Sequence, residues 1–205
     1  MKLTGRFKLL LISGTAGTGK STLLRKISTH VDTLTQVVDT DDFRSLVKVV
    51  NATINGEYPS DAFWFRSLDK ERTIEELEQQ CAQIQKFVIE PLVQSAINRL
   101  THSCIMTGLM IPGRFDTTKF PEVDVTEVLL VLTDDDERKR RFAGRQEKRG
   151  NSPQQINDKF EKTIEMQEFF IKCAQDAGVP IIENNEHALE TILKMFNTAG
   201  EECKK

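Results

Sequence analysis

The stretch that most constrains this chain is LISGTAGTGKSTLLRKI, residues 11–27. An apolar run stops at a loop holding three glycines, and a lysine, a serine and a helix-forming segment follow at once. Residues 14–21 satisfy G-x-x-x-x-G-K-[ST] in the setting the pattern needs, strand before and helix after. Glycines let consecutive backbone N–H groups turn inward as an anion nest, and the next helix adds the positive end of its dipole. The loop running through Gly14, Thr15, Ala16, Gly17, Thr18, Gly19, Lys20, Ser21 and Thr22 is therefore expected to bind ATP. Lys20 would reach the β- and γ-phosphates, and the Ser21 hydroxyl would serve Mg²⁺.

The rest of the chain predicts a fold around this loop. FKLLLIS (7–13) reads as a parallel strand covered on both faces, and residues 20–29 as a helix. TQVVDT (35–40) is a short strand ending in acid. Residues 68–100 carry a helical pattern that predicts two helices broken near Pro91. SCIMTGLMI (103–111) and TEVLLVLT (126–133) read as buried strands, 153–177 as a helix stopped by Gly178, VPIIEN (179–184) as a last strand and 187–199 as a last helix. The expected fold class is α/β: a P-loop NTPase, nucleoside-monophosphate-kinase-like, with three α/β/α layers, a mostly parallel five-stranded sheet and a helical lid. Residues 1–205 form a single P-loop kinase domain, with an acceptor-side helical region at about 51–100 and the lid at about 134–150. NATINGEYPSD (51–61) reads as a loop, and the tail GEECKK is expected to fray.

Composition narrows the partners. Hydrophobic residues make up 39% and charged residues 29%, as in globular domains, and a net charge of −3 gives no global pull toward nucleic acid or anionic lipid. The four cysteines are far apart in sequence, which suits reduced thiols in a cytoplasmic protein. The N-terminal apolar run is too short to cross a membrane.

Two polar clusters carry the chemistry. VVDTDDFRSLVK (37–48) places Asp39, Asp41 and Asp42 where the second strand ends, on the ligand-binding edge of such a sheet. Asp41 is expected to orient or deprotonate an attacking hydroxyl, and Arg44 to grip an acceptor's anionic group. Asp42 is expected only to cap the helix from Phe43. In DDDERKRRFAGRQEKRG (134–150), Arg138, Arg141, Arg145 and Arg149 recur at helical spacing, so one face of a lid would close over the triphosphate. Arg141 and Arg145 are the candidates for meeting charge on the transferred group, and the competing reading is a solvated charged helix. Arg114, leaving the third strand in Pro-Gly-Arg, is a second acceptor-anion candidate. Phe63, Trp64 and Phe65 read as core packing and His30, His102 and His187 as ordinary polar residues. The NKxD signal of guanine-specific GTPases is absent, which argues for a kinase.

LISGTAGTGKST, DTDDFRSLVK, YPSDAF, IEPLVQSAINRL with CIMTGLMIPG, RRFAGR and FEKTIEMQEFFIKCAQDAGVPIIEN together resemble the motifs of the 2-phosphoglycerate kinases, in order over roughly residues 9–190. The P-loop polynucleotide kinases stand more distantly behind them. That resemblance implies transfer of the ATP γ-phosphoryl group to a hydroxyl of a small phosphorylated acid. Where the family has glutamate and histidine on its third-strand motif, this chain has Thr107 and Met110, keeping Gly108, Pro112 and Gly113. DTDDFR resembles the polynucleotide-kinase acceptor motif equally well, so a nucleoside, nucleotide or nucleic-acid hydroxyl is the alternative acceptor. A nucleotide-binding protein without acceptor chemistry is the third reading.

Overall fold

The computed structural model describes residues 6–42, 73–99 and 102–198. Arg44, the 51–61 loop, the Phe63, Trp64 and Phe65 cluster, Cys203 and the tail lie outside the described residues. The order is β1 (Phe7–Ser13), α1 (Lys20–Ser28), β2 (Thr35–Asp39), α2 (Ile74–Ile84), a π-helical segment (Gln85–Ile89), α3 (Glu90–Asn98), β3 (Ser103–Gly108), β4 (Val123–Val131), α4 (Asp135–Glu147), α5 (Pro153–Ala177), β5 (Ile181–Glu183) and α6 (Ala188–Thr198).

The five strands form one sheet in the order β2-β3-β1-β4-β5, and every pairing is parallel. β1 is central and buried on both faces, as its unbroken apolar run requires. Leu9 and Leu11 pack with Ile84, Val88, Ile89, Val93 and Ala96 of the α2–α3 stretch. Leu10 and Ile12, one residue out of phase, pack with Leu23, Leu24 and Ile27 of α1 and with Ile192 and Phe196 of α6. On β4, Leu129 and Val131 meet Met166, Phe170 and Ala174 of α5. The result is the expected three-layer α/β/α arrangement, with α1 and α6 on one face and α2, α3 and α5 on the other.

Local chemistry explains most boundaries. Ser152 and Gln155 form a reciprocal capping box at the start of α5, proline follows as the first helical residue, and Gly178 closes the helix at φ +67°. The two helices read over this region are present, with Pro91 in the first turn of the second, but no loop separates them. Proline lacks an N–H and crowds the carbonyl four residues back. The π turn over Gln85–Ile89 takes up this mismatch, so the chain passes from α2 into α3 without a loop. β3 ends at Gly108, three residues early, where the chain turns toward the ligand edge. β4 begins three residues early, at Val123, because it pairs with the full length of β1. Among the described residues, no helix is long and apolar enough to cross a membrane, and Cys81, Cys104 and Cys173 are free thiols.

Candidate active site

The loop after β1 has the backbone of an anion nest. Gly17 and Gly19 adopt φ +88° and +92°, a region L side chains rarely occupy. A Cβ at Gly19 would also have to displace the Asn184 amide and would come within 3.1 Å of an Arg141 guanidinium nitrogen. The Thr18 hydroxyl donates to Thr15 O at 2.9 Å, which closes the turn. Lys20 Nζ donates to the same carbonyl at 2.8 Å. Burial of the Lys20 ammonium lowers its pKa to about 8; Asp41 and then Asp39 pull it back up, and Arg145 pushes it down. These couplings put the loop lysine, both aspartates and the lid arginine in one electrostatic neighbourhood.

Asp39 takes the capping part expected of Asp42. Helical conformation begins at Thr40, and Asp39 Oδ1 accepts from the Asp41 N–H at 3.1 Å, which is N-cap geometry. Its other oxygen, Oδ2, accepts from the Ser21 hydroxyl at 2.8 Å. Ser21 Oγ and the Asp39 carboxylate are hard oxygen donors beside the nest, which suits a Mg²⁺ that draws its remaining ligands from phosphates and water. Among the described residues no three His, Cys, Asp or Glu gather around a metal site.

A cleft of about 1130 Å³ joins these parts. Phosphate-loop residues, Asp41, Arg140, Arg141, Arg145 and Arg149 line it. The arginine stripe therefore divides. Arg138 is fully buried away from the cleft, over the Phe160 ring at 5.3 Å and 3.4 Å from Asp135, with burial lowering its pKa. Arg140, which sequence spacing did not single out, lines the cleft in its place, and both Arg140 and Arg141 bind Glu137 at 2.6 and 2.7 Å. Those two bonds hold the Glu137 carboxyl down at about 2. Arg114 is not brought to the site. The Gly113 N–H donates to Glu127 at 2.9 Å, and the exposed Arg114 guanidinium faces Glu78 at 3.5 Å, outside the cleft lining. Thr107 and Met110 are both buried, Met110 within the hydrophobic core; Leu109, between them, lines the cleft.

Sequence reasoning missed both flanks of the cleft. On the β5 side, Asn184 donates to Thr18 O at 2.5 Å, and Asn185, Glu186 and Leu189 follow it along the wall. That flank was readable, because residues just past a parallel strand lie on the ligand edge. Elsewhere along the wall, Gln80, Leu109, Gln146, Lys159 and Met166 line the cleft, and only Leu109 follows a strand end.

No family model and no curated protein matches this chain. Among solved structures, a shikimate kinase from Acinetobacter baumannii in complex with shikimate is 12% identical, over 98% of this chain and 96% of that one, with a TM-score of 0.49. The protein TT1252 from Thermus thermophilus is 18% identical, over 94% and 96%, with a TM-score of 0.48.

Proposed function

We propose that this protein is an ATP-dependent kinase that transfers the γ-phosphoryl group to a hydroxyl of a small phosphorylated acid, one resembling 2-phosphoglycerate. The observation that carries the reading is the meeting of Lys20 and Asp41 at one cleft, with Asp39 held on Ser21 beside the loop and both carboxylates acting on the charge of Lys20. Asp39 on Ser21 suits the metal, and a second acid at the cleft, Asp41, suits transfer to a hydroxyl.

The nest and Lys20 hold the triphosphate, Lys20 leaving the Thr15 carbonyl for phosphate oxygens. Ser21 and Asp39 are the residues that would hold Mg²⁺, which when bound offsets phosphate charge. Asp41 orients the acceptor hydroxyl and takes its proton as the oxygen attacks the γ-phosphorus. The bond from that phosphorus to the β–γ bridging oxygen breaks, and ADP leaves with the electron pair. Arg145, and behind it Arg141, meets charge on the moving group. Most of the acceleration comes from positioning and charge complementarity.

The test is ADP release and ³²P transfer from ATP across phosphorylated three-carbon acids, nucleosides and a short single-stranded DNA. Asp41→Asn is expected to lower kcat by on the order of 10²-fold or more with ATP affinity largely kept. Undiminished transfer in that variant to every acceptor would refute the assignment. A linear, steep fall of acceptor affinity on a log–log salt plot would move the reading to nucleic acid, since such an acceptor engages several phosphates.

A further inference from the structure

The cations of the cleft differ in how their charge is met. On α4, Arg140 and Arg141 share Glu137, and Arg138 has Asp135. Among the described residues, Arg145, Arg149 and Lys159 have no carboxylate partner, although all three line the cleft. Lys162, one turn along α5 from Lys159, does have one, Glu165 at 2.5 Å. Lys159 is held by neutral groups instead. Its Nζ donates to Asn151 Oδ1 at 2.7 Å, and Asn151 Nδ2 donates to Gln146 Oε1 at 3.0 Å and to the Gln146 carbonyl at 3.3 Å. Amide partners fix the direction of an ammonium without cancelling its charge. Arg145 and Arg149 are exposed and Lys159 is half-buried, so it is Lys159 whose unmatched charge costs free energy unless an anion arrives.

ATP with Mg²⁺ brings about two net negative charges to the nest. The cleft lining carries seven lysines and arginines against three carboxylates, Asp41, Glu137 and Glu186, so positive charge remains in excess with that nucleotide bound. Lys159 and Met166 are seven residues apart on α5 and so share a face, and Met166 belongs to the apolar cluster under the β3 and β4 ends. This face lines the cleft together with Leu109 and Gln80.

Resting on the kinase reading above, we propose that Arg149 and Lys159 form the subsite for the acceptor's own phosphate, with its carbon skeleton against Leu109 and Met166. Arg149 supplies a planar fork for two phosphate oxygens, and Lys159 a point charge already aimed by Asn151. Arg149 belongs to the segment that carries Arg145. An acceptor phosphate bridging Arg149 to α5 would therefore draw the lid arginine toward the transferring group.

The test uses the full chain with its nucleotide site saturated by Mg²⁺ and the non-hydrolysable analogue AMPPNP, and inorganic phosphate as the probe, titrated by calorimetry. The loaded wild type is expected to take up one phosphate per chain. Lys159→Met and Arg149→Met should each weaken it by about tenfold or more, and Lys159→Arg should largely keep it. AMPPNP affinity, unchanged in all three, is the control for folding. No phosphate uptake by the loaded wild type, or undiminished uptake in Lys159→Met, overturns the subsite and leaves the kinase reading standing. Loss of AMPPNP affinity in step with phosphate would assign both cations to the triphosphate and likewise overturn it. A wild type that binds no AMPPNP defeats the kinase reading first, and the subsite with it.

Discussion

Raising the pH from 7.5 to 9.5 should strip the charge from Lys20 before nucleotide arrives. Burial holds this ammonium at a pKa of about 8, against 10.5 for an unperturbed lysine. The bound triphosphate replaces the lost water with anionic oxygens and keeps the ammonium protonated. Nucleotide then binds the protonated form, and the apparent Kd rises with the fraction that is neutral. With a pKa near 8, that gives a rise of about 25-fold over this range and an uptake of about half a proton per site at pH 8. ATP itself is fully ionised across the window, so the change belongs to the protein. Calorimetry at each pH, in buffers of different ionisation enthalpy, reads both quantities. Lys20→Arg, which stays charged throughout, should flatten the curve. The sign for stability is opposite: between pH 8 and 10.5 the unfolded chain binds more protons than the folded one. The contribution of Lys20 to stability without nucleotide therefore rises with pH across that window, and below pH 8 its desolvation cost is fully present. A wild-type Kd that stays flat from 7.5 to 9.5, with no buffer-dependent heat, would refute the reasoning.

Two neighbouring lid arginines should behave differently. Arg145→Ala, without a carboxylate partner among the described residues, should lower kcat by on the order of 10²-fold with a smaller change in the KM for ATP. Arg140→Ala, exposed and tied to Glu137, should leave kcat within about twofold, as steady-state kinetics on the pair will read. Gly108→Ala should act at a distance. Its Cβ would run into the Thr40 hydroxyl, at the start of the segment carrying Asp41, so kcat should fall while AMPPNP still binds. Thermal unfolding should register a loss of about 1–3 kcal/mol from the same overpacking.

Where signals are local, the sequence alone determined the structure. β1 and α5 have the boundaries read from residues 7–13 and 153–177, because an apolar run closed by a glycine loop, and a capping box with proline and a glycine stop, each act within a few residues. The phosphate loop is of the same kind, since its chemistry lies in backbone geometry that glycines alone permit. The polar clusters were legible as clusters only. Helical spacing put four arginines of residues 134–150 on one face, yet only packing against Phe160 could remove Arg138 from the cleft and let Arg140 in. Counting acids near the end of β2 could not say that Asp39 is the cap, because that choice depends on where the helix begins and on Ser21 from another element. Arg114 looked equal to any other cation near a strand end until Glu78 and Glu127 fixed its loop elsewhere. Lys159 gave no signal, since its place in the proposal comes from lacking a carboxylate in a cleft built from seven separate segments. Backbone conformation is dictated by neighbours along the chain, whereas the partner of a long charged side chain is decided by whichever elements the sheet brings within reach.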